Sequence, residues 1–427
     1  MKTKTIQSIK GFKDILPSEV KYYKFVETIV SEVAHQYAIN ELRLPLVERS
    51  ELFFKSIGDS TDIVNKEMYD FIDKNGESIC LRPEGTASLV RAVIEHNLVY
   101  DRGLKKKKYM YYGPMFRHEK PQKGRYRQFN QFGVEYFGYT DTNSDLELII
   151  LGNNIFERLG LDSYNLHINS LGNAMDKKKY SDIIVQYFEP IKDTLDEYQL
   201  NTLVNNPLRL LDSKKDNIKN ILNDLPKMRD TLSDQSRLRF ETLLKKLDNI
   251  GVTYTIDNSI VRGLDYYNDT VFEWRNNSLG SQNAICAGGR YDSLVENTGG
   301  ENVPAIGFAI GIERIIELIK SQNIKCYDEK PTIPIMSTLS ETETYCIEIA
   351  SILRKKYPNT RFLTTDSSAS LSSQTKNALK INDCFILLLT DNNKKDKSIT
   401  VKMKENKMND MILSINELVK FMDKSYE

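Results

Sequence analysis

Residues 111–138 read YYGPMFRHEKPQKGRYRQFNQFGVEYFG, and no other stretch of the chain is as informative. Two strand-like runs flank a basic, turn-rich loop, which predicts a β-hairpin. Strand side chains alternate between two faces, so Phe132, Val134 and Tyr136 form a candidate core face in the second run. The opposite face carries a more polar set, which consists of Arg127, Phe129, Gln131, Gly133, Glu135 and Phe137. An arginine, an aromatic ring, an amide, a gap at Gly133 and a carboxylate could together hold an anion, a flat base and an amino group.

Length and composition are typical of a soluble globular protein. The chain has 427 residues, of which 40% are hydrophobic and 28% charged, and this length predicts two or three domains. Lys+Arg and Asp+Glu both number 59, so net charge argues neither for nor against nucleic acid. No signal peptide and no membrane-spanning apolar run are evident, which predicts a cytoplasmic protein with no membrane contact.

The cysteines and histidines do not suggest a metal centre. The five cysteines are scattered with no CxxC pair, and there are only four histidines. This pattern predicts buried free thiols in a reducing compartment and argues against disulfides or a zinc site.

Helical and strand-like segments alternate through the first 325 residues. A helix is predicted over 18–38, followed by an extended segment over 41–53 that Pro45 breaks. After the hairpin comes a helix with Asn143 or Ser144 as its candidate N-cap. Residues 174–248 contain no glycine and show helical spacing, which predicts a helical insertion. The remaining predictions are helices over 143–159 and 311–321 and strands over 165–171, 252–256 and 270–274.

The end of the chain has the pattern of a small, separate α/β domain. A linker is predicted over 326–331, and strands alternate with helices over 332–427. The predicted strands are 333–336, 361–363, 385–390 and 399–403, and the predicted helices are 342–356, 370–380 and 415–423. The NNKKDKS segment at 392–398 is interpreted as a polar turn.

Four further segments carry polar side chains at turns or element ends, where binding groups are common. LRPEGTASLVRA (81–92) is a turn before a helix, and VRGLDYYNDTVFEW (261–274) is a turn before a strand. AGGRYDSL (287–294) is interpreted as a glycine turn, and PAIGFAIGIERIIELI (304–319) as a strand that runs into a helix. Each segment alone is compatible with ordinary surface or core roles. Neither GxxxxGK[ST] nor GxGxxG occurs, so nucleotide binding would depend on arginines and a stacked ring on an antiparallel sheet.

In this order, the segments resemble the class II aminoacyl-tRNA synthetases and, within them, the histidyl-tRNA synthetase family, over residues 1 to about 320. LPLVERSELF (44–53), GPMFRHEKPQKGRYRQFNQFGVEYFG (113–138) and PAIGFAIGIERI (304–315) resemble the three class motifs. VRGLDYYNDTVFEW and AGGRYDSL resemble blocks peculiar to the histidine enzyme, and NPLRLLDSK (206–214) is also similar to the family. Beyond about residue 332 the likeness is confined to the β/α order and a weak match at SASLSSQTKNALK (368–380).

The resemblance implies a fold that is α/β in a broad, α+β sense. Residues 1–325 would form a catalytic domain on a mostly antiparallel sheet, with the helical insertion at about 174–248. Residues 332–427 would form an α/β anticodon-binding domain. Relatives are homodimers whose first class motif lies at the subunit interface, so a homodimer is expected.

The resemblance also implies a ligase that uses ATP, Mg²⁺ and L-histidine. Arg117 and Arg262 match catalytic arginines at the α-phosphate, where fixed cations stabilise developing negative charge. Arg125 and Arg314 match positions near the γ-phosphate and adenine. Phe129 would stack on the adenine ring, and Glu119 would lie near its amino group. Mg²⁺ would be held largely by phosphates and water, and no side-chain cluster is assigned to it.

For histidine, the resemblance assigns the ring and the α-amino group to different residues. Glu135 and Tyr267 would bond the two nitrogens of the imidazole. The α-amino group would lie near three acceptors, and two further tyrosines would line the pocket. These residues are Glu84, Thr86 and Gln131 for the amino group, and Tyr266 and Tyr291 for the lining.

The partner implied by the resemblance is tRNA(His). Lys120, Gln122 and Arg127, in the hairpin loop, would meet its acceptor end. Lys120 stands where arginine is expected in many relatives, which preserves a phosphate contact but weakens a bidentate base contact. Ser372 and Ser373 replace a more basic run, so no anticodon-contact residues are assigned.

Three alternatives have the same fold. The first is a non-catalytic regulatory subunit of histidine biosynthesis, against which Arg117, Arg262, Arg314 and the complete C-terminal segment argue. The second is a synthetase-like sensor of uncharged tRNA, which would usually accompany a kinase domain that this chain lacks. The third is a class II enzyme for another amino acid, against which Glu135, Tyr267 and the two histidine-specific blocks argue.

Overall fold

The computed structural model divides the chain into two compact units, residues 1–326 and 327–427. It describes residues 5–58, 61–100, 106–122, 124–213, 218, 221–222, 224–280, 283–326, 331–337, 340–364, 371–381, 385–403 and 410–425. The division falls at the start of the predicted linker, whose residues 327–330 lie outside the described part. The assignment of catalysis to the first unit and anticodon binding to the second stays a prediction.

An eight-stranded, mainly antiparallel sheet forms the centre of the first unit, as predicted. The strand order is β1-β5-β6-β11-β10-β9-β7-β8, and only the outermost pairs, β1 with β5 and β7 with β8, are parallel. Its strands are β1 (Asn40–Glu41), β5 (Lys107–Phe116), β6 (Gln128–Phe137), β7 (Asn165–Ser170), β8 (Thr255–Ile256), β9 (Asn268–Arg275), β10 (Ala284–Arg290) and β11 (Ala305–Gly311). A separate three-stranded sheet contains β2 (Val47–Arg49), β3 (Tyr69–Ile72) and β4 (Ser78–Leu81).

Helices flank this sheet. They are α1 (Pro17–Gln36), α2 (Ser50–Ile57), α3 (Thr86–Glu95), α4 (Thr142–Arg158), α5 (Ala174–Phe188), α6 (Glu197–Asn205), α7 (Asp234–Asn249), α8 (Leu294–Asn297) and α9 (Ile312–Ser321). Short 3₁₀ turns cover Glu189–Thr194, Pro207–Asp212, Met228–Thr231 and Asn277–Leu279, and a π-helical turn covers Ile63–Glu67. No described helix combines the length and the hydropathy that a membrane crossing needs.

The hairpin confirms the strand parity predicted from its sequence. Strands β5 and β6 pair antiparallel along their length, from Lys107 opposite Phe137 to Phe116 opposite Gln128. Phe132, Val134 and Tyr136 are fully buried in the core that also contains residues of α1 and α4. The prediction of a gap at Gly133 was wrong, because the buried ring of Tyr111 fills the space that a Cβ at that position would occupy. The missing side chain makes room for a tyrosine of the neighbouring strand and not for a ligand.

Three local predictions were wrong at the start of a helix, and in two of them a polar side chain caps that helix. The segment predicted as extended over 41–53 turns helical at Ser50, and Asp141 caps α4 by accepting from the Asn143 and Ser144 backbone N–H groups. The predicted turn at 392–398 contains a short helix, because Thr390 and Asn393 form a capping box there.

Two further sequence predictions were wrong, one about a turn and one about the burial of a cysteine. The glycines of the predicted turn at 287–294 lie within β10, where side chains would collide with the adjacent strands. Cys80, Cys286 and Cys346 are buried free thiols as predicted, but Cys326 is partly exposed. Cys384 lies outside the described residues.

The second unit has its own sheet and its own core. The strand order is β13-β12-β14-β15-β16, with β12 parallel to both neighbours and the other pairs antiparallel. The strands are β12 (Thr332–Ser337), β13 (Arg361–Thr364), β14 (Phe385–Leu389), β15 (Ser398–Met403) and β16 (Met411–Ser414), of which β16 was missed. The helices are α10 (Glu343–Lys356), α11 (Leu371–Ile381), α12 (Asp391–Asp396) and α13 (Ile415–Ser425), and a 3₁₀ turn covers Ser340–Thr342.

Candidate active site

A cavity of about 290 Å³ lies on the polar side of β6, between the start of α3, the start of α9 and the loop that precedes β9. It brings together most of the residues that the sequence singled out. Those that line it are Glu84, Thr86, Arg117, Glu119, Arg125, Phe129, Gln131, Arg262, Tyr266, Tyr267 and Arg314. Glu135 does not line it but lies directly behind Thr86, to which it is hydrogen-bonded.

Arginines gather at one end of the cavity, here called the cationic end (Arg117, Arg125, Arg262 and Arg314). Arg117 follows β5, donates from Nε to the Pro83 carbonyl at 2.8 Å, and places its guanidinium 5.4 Å from the centre of the Phe129 ring. Arg314 lies in the first turn of α9 and donates to the Ala284 carbonyl. Burial and then the nearby charge of Arg125 lower the pKa of Arg314 to about 10. A bound anion would offset both effects, so this end is suited to a polyphosphate.

Glu119 is the carboxylate of the cationic end. It forms an ion pair with Arg125 at 2.7 Å and lies 3.9 Å from a guanidinium nitrogen of Arg117. The predicted contact between Glu119 and adenine therefore requires this pairing to be shared or given up. Among the described residues, no three His, Cys, Asp or Glu side chains come together as a metal site would need.

Arg262 is held from behind by a carboxylate that the sequence analysis missed. Glu273, on β9, bonds Arg262 at 3.0 Å through Oε2 and bonds Arg275 through Oε1. Arg262 also lies 5.7 Å from the centre of the Tyr267 ring. Within the described part of the chain its buried Nε–H has no hydrogen-bond partner, which leaves a donor available. A charged residue inside the apolar run TVFEW was the signal that could have identified Glu273.

Carboxylates and tyrosines lie at the other end of the cavity, here called the histidine end after the ligand that the sequence analysis predicts for it (Glu84, Thr86, Gln131, Glu135, Tyr266, Tyr267 and Tyr291). Glu135 is 1% exposed and accepts hydrogen bonds from Thr86 Oγ1 and the Tyr291 hydroxyl, both at 2.6 Å. Burial, with Glu84 as a further contributor, raises the pKa of Glu135 to about 8. Glu135 can therefore exchange a proton near neutral pH.

Glu84 occupies the N-terminus of α3. Its two oxygens accept hydrogen bonds from the backbone N–H groups of Thr86 and Ala87, each at 2.7 Å. These N–H groups lie in the first turn of the helix and have no partner within the helix itself. Burial nevertheless raises the pKa of Glu84. Gln131 adds a buried side-chain oxygen that no described residue donates to. A ligand ammonium group would satisfy this oxygen.

Three tyrosine rings pack together beside these carboxylates. Tyr266 lies 4.6 Å from Tyr267 and 5.5 Å from Tyr291 between ring centres. Burial raises the pKa of Tyr267 to about 12, so its hydroxyl stays protonated at neutral pH. Gly307 faces Glu135 on β11, and a Cβ there would overlap the carboxylate. The need for glycine at this position was also missed.

The three residues predicted to meet tRNA lie outside the cavity lining. Lys120 and Gln122 are exposed on the hairpin loop, and the Gln122 backbone bonds that of Arg125. Arg127 instead donates to the carbonyls of Glu119 and Lys10, at 3.3 and 3.4 Å. Its side chain therefore helps to hold the N-terminal segment against the loop.

Comparison with known proteins gives one consistent result. Residues 11–315 match the family model described as histidyl-tRNA synthetase. The chain is 43% identical to a histidine–tRNA ligase of Hydrogenovibrio crunogenus, over 96% of both chains. It is 45% identical to that of Buchnera aphidicola subsp. Schizaphis graminum, over 88% of both chains.

Solved structures agree in fold. The apo histidyl-tRNA synthetase of S. aureus superposes with a TM-score of 0.81 at 30% identity, over 98% of this chain and 99% of that one. A protein of Bacillus halodurans described as an ATP phosphoribosyltransferase regulatory subunit/histidyl-tRNA synthetase gives a TM-score of 0.65, over 91% of this chain and 99% of that one. Its 20% identity supports a shared fold alone.

Proposed function

The chain belongs to the histidyl-tRNA synthetase family, and from this premise we propose that it acts as a histidine–tRNA ligase. It would activate L-histidine with ATP and then transfer the histidyl group to the 3′ end of tRNA(His). One observation carries the assignment of the site: a single cavity has arginines at one end and buried carboxylates with tyrosines at the other. These ends suit the phosphates of ATP and the ammonium and imidazole groups of histidine.

In the first step, a carboxylate oxygen of histidine attacks the α-phosphorus of ATP. The new O–P bond gives histidyl-adenylate, and the bond to the β-phosphate breaks to release pyrophosphate. Arg117 and Arg262 would stabilise the negative charge on the α-phosphate, since a guanidinium stays charged and can contact two oxygens at once. Arg262 has an additional reason to act here, because its Nε–H is unpartnered among the described residues while Glu273 fixes its other side.

The remaining groups of the cationic end would position ATP. Phe129 would offer its ring to adenine, and the Arg117 guanidinium, 5.4 Å from the centre of that ring, would lie close to the bound nucleotide. Arg125 and Arg314 would bind the outer phosphates or the adenine. Mg²⁺ would arrive with ATP, held mainly by phosphate oxygens and water, and Glu119 would lie near the adenine amino group while sharing its ion pair with Arg125.

The histidine end would recognise the amino acid by its polar groups. Glu84 and Gln131 would accept from the α-ammonium group, with Thr86 nearby. Glu135 would accept from one imidazole nitrogen, and the Tyr267 hydroxyl would donate to the other. A pocket of this kind rejects apolar analogues by about 10⁴- to 10⁵-fold, because its buried polar groups would be left unpaired.

In the second step, a ribose hydroxyl of the terminal adenosine of tRNA attacks the carbonyl carbon of histidyl-adenylate, and AMP leaves. Lys120 and Gln122, which are exposed on the hairpin loop, would contact the acceptor end. The engagement of Arg127 with two backbone carbonyls supports a role in shaping the loop in addition to any contact with RNA.

Homodimerisation and a cytoplasmic location belong to the same proposal. The first class motif, with the adjoining α2 and β3, exposes several large apolar side chains that a second subunit would cover. These are Leu46, Val47, Phe54, Phe71 and Ile72. Sedimentation or light scattering at micromolar concentration would test for the dimer.

ATP–pyrophosphate exchange measured with each of the twenty amino acids tests the proposed function. Exchange should depend on histidine, and tRNA(His) should then become charged. A regulatory subunit would bind histidine without exchange, and a synthetase for another amino acid would exchange faster with that amino acid. Either result would overturn the proposal.

A further inference from the structure

The loop 261–267 carries Arg262, Tyr266 and Tyr267, yet it contains no regular secondary structure. Three side chains of the helical insertion hold this loop from outside the cavity. They are Lys177, Asn206 and Arg209, here called the clamp. Lys177 lies on α5, Asn206 directly follows α6, and Arg209 lies in the next 3₁₀ turn. None of the three lines the active-site cavity described above.

Lys177 makes the most unusual contact of the clamp. Its ammonium group donates to the backbone carbonyls of Asp265 and Tyr267, at 3.3 and 2.8 Å. Burial lowers its pKa, with the Asp265 carboxylate acting in the opposite direction. A buried cation is retained only where hydrogen bonds offset its desolvation, so these two carbonyls are tied firmly to α5.

Asn206 and Arg209 hold the same loop at its centre. Asn206 Nδ2 donates to Asp265 Oδ1 at 2.7 Å, and Arg209 donates to the Gly263 carbonyl at 2.7 Å. Arg209 also reaches Asp265 Oδ1 at 3.3 Å. The residues on both sides of Leu264 are thereby fixed by side chains more than 50 positions away in the sequence.

A backbone contact fixes the loop from the opposite direction. The Asp265 N–H donates to the carbonyl of Ile57, at the end of α2, at 3.2 Å. The loop is therefore held between the end of α2 and the helical insertion. Because this loop has no helix or strand hydrogen bonds of its own, the positions of its side chains depend on these contacts.

We propose that Lys177, supported by Asn206 and Arg209, is a positioning residue for adenylate formation, which sets the geometry of Arg262 and Tyr267 from outside the cavity. This inference rests on the proposed function, because it assumes that Arg262 acts at the α-phosphate. A displacement of about 1 Å at a reacting centre can cost about 10²-fold in rate. Loss of the clamp should therefore lower the rate of chemistry more than the affinity for ATP.

The test compares Lys177→Met with Lys178→Met in the full-length chain. Lys178 is exposed on the same helix and provides a matched control. Single-turnover adenylate formation, counted per active site by titration, should fall about 10- to 100-fold in Lys177→Met and stay unchanged in Lys178→Met. The KM for ATP in exchange should change less than threefold in both variants. Equal rates in the two variants would overturn the inference.

A double-mutant cycle separates positioning from general destabilisation. In an Arg262→Ala background, Lys177→Met should cause a much smaller further loss, because residues that act as one unit are not additive. The same fold-loss in both backgrounds would show that Lys177 does not act through Arg262. If Lys177→Met does not fold, Arg209→Ala decides in its place, with the same non-additive pattern expected and the same additive result overturning the inference.

The wild-type protein distinguishes this inference from the proposed function. Histidine-dependent exchange by the wild type, with full activity in Lys177→Met and Arg209→Ala, would refute the clamp alone. Absence of histidine-dependent exchange in the wild type would refute the proposed function itself.

Discussion

At the cationic end of the cavity the charged groups are only partly buried, whereas at the histidine end they are almost fully enclosed. The side chains of Arg117 and Arg125 are 19% and 30% exposed, but Glu84 and Glu135 are 3% and 1% exposed. An arginine keeps its charge in either setting, while a buried carboxylate gains or loses a proton according to its neighbours. The cationic end should therefore act independently of pH, and the histidine end should respond to it.

The largest expected effect is at the cationic end. Arg262→Ala should lower the rate of adenylate formation by about 10²- to 10³-fold, the cost of removing one fixed donor to developing negative charge. ATP binding should be largely spared, since Arg117, Arg125 and Arg314 remain. Pre-steady-state exchange and equilibrium ATP binding would measure the two quantities, with the exposed Arg43→Ala as a control. Equal loss of binding and chemistry would assign Arg262 to ground-state binding.

The histidine end could be predicted from the sequence only in part. The alternation of β6 identified the core face and placed Gln131 and Glu135 on the opposite face, because strand parity is a local property. The partners of Glu135 could not be predicted in this way, since Thr86 is 49 positions away and Tyr291 is 156 positions away. The collision at Gly307 depends on the β6–β11 register, which no local pattern specifies.

The clamp is a second example of contacts that local sequence patterns could not predict. Lys177 is the first of three consecutive lysines in an amphipathic helix. Its local sequence does not distinguish it from its exposed neighbours Lys178 and Lys179. Only the folded contact with Asp265 and Tyr267 distinguishes it. Candidate ligand-binding residues at turns were predictable from their type and order, whereas the residues that hold those turns from a distance were not.

The next effect in size is at the histidine end. Glu135→Gln keeps the shape of the side chain but cannot ionise when histidine binds, so kcat/KM for histidine should fall by about 10- to 100-fold, equivalent to the loss of one charged hydrogen bond of about 1.5–3 kcal/mol. The KM for ATP should be nearly unchanged. Exchange kinetics with each substrate varied in turn would show this, and Glu95→Gln, on the exposed side of α3, is the control. A matching rise in the KM for ATP would contradict the separation of the two ends.

A smaller effect should appear in stability without ligands. The pKa of Glu135 is raised from its usual 4.5 to about 8, mainly by burial, so the folded protein binds this proton more tightly than the unfolded chain does. Stability from this group is fully present below pH 4.5 and is lost as pH rises toward 8. The Tm of the wild type should fall by a few degrees, roughly, between pH 5 and 8 relative to Glu135→Gln. Differential scanning fluorimetry of both proteins across this range would measure it, and parallel curves would mean that Glu135 stays ionised.

The smallest effect concerns how far positive charge extends beyond the cationic end. Lys120 is exposed on the hairpin loop and takes no part in the cavity, so Lys120→Ala should leave exchange unchanged. Loss of a phosphate contact worth up to about 1 kcal/mol should raise the KM for tRNA by about threefold to fivefold and reduce the salt slope of tRNA binding by about one.

Lys120→Arg should match or exceed the wild type, because a guanidinium keeps the contact and adds bidentate geometry. Since exchange needs no tRNA, aminoacylation measured beside it at several salt concentrations isolates the loop. A change in exchange would instead place Lys120 within the first step and extend the cationic end to the loop.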